Sequence, residues 1–109
     1  MPDIDARRAR SVLDEGGYLL DVRELDEWEA GHAPDAIHVP LGTLEAHREG
    51  LPTDRTIVAV CRTGGRSAHA TAALLAWGHD AVNLSGGMKA WATEGLDVVD
   101  KDGEPGRVI

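Results

Sequence analysis

The sequence predicts an α/β fold with a mainly parallel sheet and right-handed crossovers. Short apolar runs alternate with stretches of helical periodicity along the chain. The clearest run, Thr56-Ile57-Val58-Ala59-Val60, is β-branched and uninterrupted, as a strand covered on both faces must be. At 109 residues the chain can build one compact domain with its own core, and not two.

Asp5 is the expected N-cap of a helix from Ala6 to Leu13, where Ala9, Val12 and Leu13 recur at helical spacing before Gly16-Gly17 ends it. Tyr18-Leu19-Leu20 reads as a short buried strand that ends in the charged Asp21-Val22-Arg23. A helical turn from Leu25 to Ala30 follows, with Trp28 on its apolar side and Gly31 closing it. Ile37-His38-Val39 is a second brief strand stopped by Pro40, and Leu41 to Arg48 a weak helix. Thr56 to Val60 then delivers Cys61 at its end. The alanine-rich segment from Ser67 to Trp77 predicts the strongest helix, with Ala70, Leu74 and Leu75 available to a core and Gly78 as its stop. Ala81-Val82-Asn83-Leu84 is the next strand, and Gly86-Gly87 turns the chain into a last helix from Met88 to Glu94. The domain is expected to span residues 1–96. The Asp, Gly and Pro content of residues 97–109 predicts a partly flexible, fraying tail.

Composition excludes several function classes. A formal net charge of -8 opposes a phosphate backbone, so nucleic acid is not an expected partner. No apolar run approaches the roughly 20 residues of a membrane-spanning helix, and the acidic start lacks the layout of a signal peptide, so a soluble cytoplasmic protein without a membrane partner is expected. His32, His38, His47, His69 and His79 show no pair at metal-ligand spacing, and a single cysteine excludes cysteine-based zinc sites, so no metal is expected. The same lone thiol forms no internal disulfide; any relay involves another molecule.

The chemistry concentrates in Cys61-Arg62-Thr63-Gly64-Gly65-Arg66-Ser67, which joins the strongest strand to the strongest helix. In open α/β sheets, sites lie beyond the carboxyl ends of the strands, where Arg23 and Cys61 both fall. The thiol is expected at the rim of a tight loop whose far end is a helix N-terminus. Gly64 and Gly65 let successive amides turn inward, Arg62 and Arg66 add positive charge, and Ser67 is the expected N-cap. Helix end, amides and guanidinium groups together predict a depressed thiol pKa and a reactive thiolate at neutral pH. Isolated, a cysteine at a strand end is as often a small buried hydrophobe as a nucleophile.

This segment resembles the active-site loop of the rhodanese family, and the likeness extends from about Ile4 to Leu96. Asp21-Val22-Arg23 with Glu24, Trp28, Gly31-His32 and Ala36-Ile37 resemble the family's first signature, and Leu84-Ser85-Gly86-Gly87-Met88 with Trp91 its closing one. The resemblance implies a rhodanese-like three-layer fold of about five short strands with helices on both faces. It also implies a single-domain sulfurtransferase: Cys61 accepts a sulfane sulfur as a persulfide and passes it to a second acceptor. The implied partners are a small anionic sulfur donor such as thiosulfate, a thiol or cyanide acceptor, and a persulfide-carrying protein; no cofactor is implied. The residues suit that chemistry, with the amides from Arg62 to Ser67 (Arg62, Thr63, Gly64, Gly65, Arg66 and Ser67) available to a persulfide and Arg62 to an anionic donor.

Related phosphatases and arsenate reductases carry a longer loop that surrounds a tetrahedral oxyanion, whereas four residues intervene here between Cys61 and Arg66. That reading is disfavoured by loop length. A sulfur-carrier or interaction module that docks on a partner enzyme stays open. Asp21 and Arg23 are expected to pin neighbouring loops rather than orient substrate, and His32 to brace a loop. Gly86 and Gly87 are expected as turn residues on the active-site side, and Trp28, Trp77 and Trp91 as core pieces.

Overall fold

The structure is a computed structural model that describes residues 2–109. Among the described residues, β1 (Asp3–Ile4), β2 (Tyr18–Asp21), β3 (Ile37–His38), β4 (Ile57–Val60) and β5 (Ala81–Leu84) form one sheet in the order β1-β5-β4-β2-β3, with every pairing parallel. The helices are α1 (Ala6–Asp14), α2 (Leu25–Ala30), α3 (Gly65–Ala76) and α4 (Gly87–Thr93).

Side-chain alternation along the strands divides the core into two halves. Leu19, Val58, Val60 and Leu84 pack with Ala6, Ala9 and Leu13 of α1 and Met88 and Trp91 of α4. Leu20, Val22, Ile57, Ala59 and Cys61 face the other way, onto Ala70 and Leu74 of α3 and onto Leu44 and Leu51. Every residue of central β4 is therefore fully buried, which is why its sequence is apolar without interruption.

The N-cap at Asp5 forms as the sequence predicts, its side chain accepting from the Arg8 amide at 2.8 Å. Other elements differ from expectation. Asp3–Ile4, read as a lead into α1, is an edge strand registered on Asn83 and Leu84, too short to show a period of its own. The helix expected from Leu41 to Arg48 is two 3₁₀ turns, Leu41–Thr43 and Glu45–Gly50, where Gly42 and β-branched Thr43 hold helical propensity low. Helix α3 starts at Gly65, with Gly64 as N-cap at φ 116°, so Ser67 sits inside the first turn and is not the cap. Trp91 is buried, but Trp28 and Trp77 are only half-buried at the margins of the core.

The segment beyond Gly95 lies against the rest of the domain. Val99 and His32 exchange backbone hydrogen bonds at 2.8 and 2.9 Å, the Lys101 amide donates to Glu29 at 3.0 Å, and Arg107 donates to Ala30 at 3.0 Å. Leu96, Val98 and Val108 pack against the α1–α4 half of the core, giving the polar tail the apolar anchors that its composition obscures. Among the described residues no helix is long and apolar enough to cross a membrane.

Candidate active site

The chain leaves β4 at the carboxyl edge of the sheet and enters the Cys61–Ser67 loop directly. Cys61 lies at the floor of this loop and not at its rim, only 1% exposed, with its Cβ continuing the α3 half of the core. Its sulfur nevertheless meets polar groups: the Gly64 amide donates to Sγ at 3.1 Å and the Ser67 hydroxyl lies 3.3 Å away. Burial pushes the thiol pKa up, but the Ser67 hydroxyl and the amides of Ser67, Gly64 and Thr63 outweigh it, and the net displacement is downward. Each loop guanidinium also has a partner of its own. Arg66 is committed to Glu27 of α2 in a two-pronged pair at 2.6 and 2.8 Å, and Arg62 donates from Nε to the Ile109 main-chain oxygen at 3.1 Å. That pairing holds the Glu27 carboxyl below the usual carboxylate range and the Arg66 guanidinium above its own.

Gly64 takes the left-handed conformation that the inward turn requires. Gly65 does not: it is an ordinary first residue of α3, and a Cβ there would meet nothing within 4 Å. Gly87 is needed for close approach, because a Cβ would fall 2.4 Å from the Arg62 carbonyl oxygen and 2.5 Å from that of Cys61. The turn made by Gly86 and Gly87 thereby lets the first amides of α4 reach the loop, Met88 donating to the Cys61 carbonyl at 2.8 Å and Lys89 to that of Arg62 at 3.1 Å. These bonds turn the Cys61 and Arg62 carbonyls toward α4, while the Gly64 amide faces the sulfur.

Asp21 and Arg23 form a brace beneath the site. Both are fully buried; Arg23 Nη2 reaches Asp21 Oδ2 at 2.8 Å and the Gly31 carbonyl at 2.7 Å, tying the end of β2 to the end of α2. His32 belongs to the same brace, its Nδ1 2.7 Å from the Trp28 carbonyl and its ring stacked on Trp28 at 3.6 Å between centroids. His38 stacks on Trp28 as well, with Nε2 2.7 Å from the Arg23 carbonyl.

Sequence reasoning missed two residues that complete the site. Glu27 was one more acid on an exposed turn, and nothing local marks it as the partner of Arg66. Asn83 left a trace, being the polar residue within an apolar strand. It is buried, accepts from the Ser67 hydroxyl at 2.6 Å, and donates to Gly64 O at 3.2 Å and Asp3 Oδ1 at 3.1 Å, so it joins β1, β5 and the loop.

The Rhodanese-like domain family matches residues 5–94. A sulfurtransferase of Allochromatium vinosum is 36% identical over 102 residues, covering 93% of this chain and 95% of the relative. The crystal structure of a rhodanese-related protein from Thermoplasma volcanium is 30% identical with a TM-score of 0.84, covering 91% of this chain and 98% of that one. A rhodanese-like domain protein from Staphylococcus aureus is 34% identical with a TM-score of 0.80, covering 89% and 97% respectively. In sequence over most of its length, and in the order and direction of its strands, the chain belongs to the Rhodanese-like domain family.

Proposed function

We propose that this protein is a sulfurtransferase in which Cys61 carries a sulfane sulfur from thiosulfate or a low-molecular-weight persulfide to a thiol or cyanide acceptor. The observation that supports it best is the donor set around one sulfur: the Gly64 amide at 3.1 Å and the Ser67 hydroxyl at 3.3 Å, with the thiol pKa displaced downward. In the first step the Cys61 thiolate attacks the outer sulfur of the donor. A Cys–S–S bond forms, the donor's own S–S bond breaks, and sulfite or a thiolate departs with the electron pair. In the second step the acceptor attacks the outer sulfur of the persulfide and the Cys61 thiolate is released. Neither step calls for a strong general acid, since both leaving groups are stable anions.

Within this reading the inward amides of the loop hold the terminal persulfide sulfur, which carries the negative charge. Arg62 attracts the anionic donor, while Asp21, Arg23, His32, Gly86 and Gly87 support the loop. A reducing cytoplasmic setting suits a lone reactive thiol. The test is intact-protein mass spectrometry after thiosulfate treatment. One added sulfur on the wild type and none on Cys61→Ser is expected; no addition, or equal addition to both, overturns the proposal.

A further inference from the structure

The C-terminal segment reaches the residue expected to recruit the donor. Its course is fixed well before that point. Gly106 donates to Val98 at 2.9 Å and Arg107 to Ala30 at 3.0 Å, while Val108 packs against the core. Where the segment crosses the end of α2, backbone meets backbone: a Cβ on Gly31 would lie 2.2 Å from the Arg107 carbonyl oxygen, and one on Gly106 would lie 2.9 Å from the Ala30 carbonyl oxygen. Two side-chain-free residues at one crossing make this a built seat, and it delivers Ile109 to Arg62, whose Nε donates to the Ile109 main-chain oxygen at 3.1 Å.

The consequence is electrostatic. Arg66 is paired with Glu27 at 2.6 Å, whereas Arg62 meets no Asp or Glu side chain among the described residues. Its Nε–H is spent on the tail. We infer that residues 106–109 form a specificity-determining strap, which withholds Arg62 from incoming anions and so sets how strongly the Cys61 site prefers negatively charged over neutral reagents. This rests on the proposed sulfur transfer only in the choice of physiological anion, because the charge preference belongs to the thiol itself.

Two alkylating agents of similar size separate charge from access: iodoacetate, an anion, and iodoacetamide, which is neutral. The ratio of their rates at Cys61 reads the anion preference without any sulfur transfer. Two variants release the strap, a stop after Arg107, and Gly31→Ala, which displaces the crossing and leaves the chain at full length. Each is expected to raise the ratio by about fivefold, the size of one exposed charge-assisted contact. Arg62→Ala is expected to lower the ratio more in the shortened chain than in the full one, because the two changes act on one interaction. In the intact protein, the Arg62 Nε–H signal in a nitrogen-15 NMR spectrum is expected to be protected from exchange and to lose that protection when the strap is removed. An unchanged ratio in both variants, additive effects with Arg62→Ala, or an unprotected Arg62 signal in the wild type overturns the inference. A protein that passes these tests yet takes up no sulfur from thiosulfate keeps its strap and loses the transfer reading.

Discussion

The Ser67 hydroxyl lies 2.6 Å from Asn83 Oδ1 and 3.3 Å from Cys61 Sγ, so one proton faces two acceptors. Asn83 has both amide hydrogens committed, to Asp3 and to the Gly64 carbonyl, which leaves its oxygen turned to Ser67. A neutral thiol leaves the hydroxyl proton with Asn83, and an ionised one draws it to sulfur. Ser67→Ala removes that response. The midpoint of iodoacetamide alkylation against pH is expected to rise by about one unit, the worth of a hydrogen bond to a charged group.

For the wild type the sign is set by the balance between burial, which raises the thiol pKa, and the loop's donors, which lower it further than burial raises it. Alkylation is expected to climb with pH through a midpoint below the roughly 8.5 of a free thiol and to level off above it. A midpoint at or above that value would mean that burial wins.

Gly64 and Gly65 are expected to answer differently to the same substitution. Gly64→Ala places a side chain at φ 116° and is expected to cost about 1–2 kcal/mol in urea unfolding, with slower sulfur loading. Gly65→Ala adds a methyl group to open space in a helix and is expected to be neutral or stabilising by about 0.5–1 kcal/mol.

Removing one partner of the buried brace should be far more damaging than removing an exposed ion pair. Arg23→Met leaves the fully buried Asp21 carboxylate without its counter-ion, and a loss of about 3–5 kcal/mol is expected in the same denaturation experiment.

Glu27→Gln is expected to lower the melting temperature at neutral pH, by an amount that shrinks in acid. Because Arg66 holds the Glu27 carboxyl below its ordinary range, the stabilisation is complete above the unfolded pKa of about 4.3 and is lost as pH falls through the lower folded value. The melting temperatures of variant and wild type should therefore converge in acid.

What the sequence disclosed, and what it hid, divides by range. The strand Ile57–Val60, the Asp5 cap and the glycine-punctuated helices are local patterns, and they stand where periodicity and propensity put them. The family signatures located the loop for the same reason, since its residues are contiguous. Pairings across the chain left no such mark. Arg66 meets Glu27 across 39 positions and Arg62 meets Ile109 across 47, so neither spacing, charge nor composition announces that these guanidiniums are already engaged. The tail is alike in this respect: its local composition is that of a loose end, and nothing in it marks the contacts that Val99 and Val108 make with partners distant in sequence.

The contact of Gly87 with the carbonyls of Cys61 and Arg62 bears on how this chemistry could be moved to another scaffold. A graft of the contiguous heptapeptide alone would arrive without its footing, its peptide planes free to rotate and its thiol an ordinary one. The smallest portable unit is discontinuous: the heptapeptide together with the glycine pair and the opening turn of the last helix, carried over at their native separation.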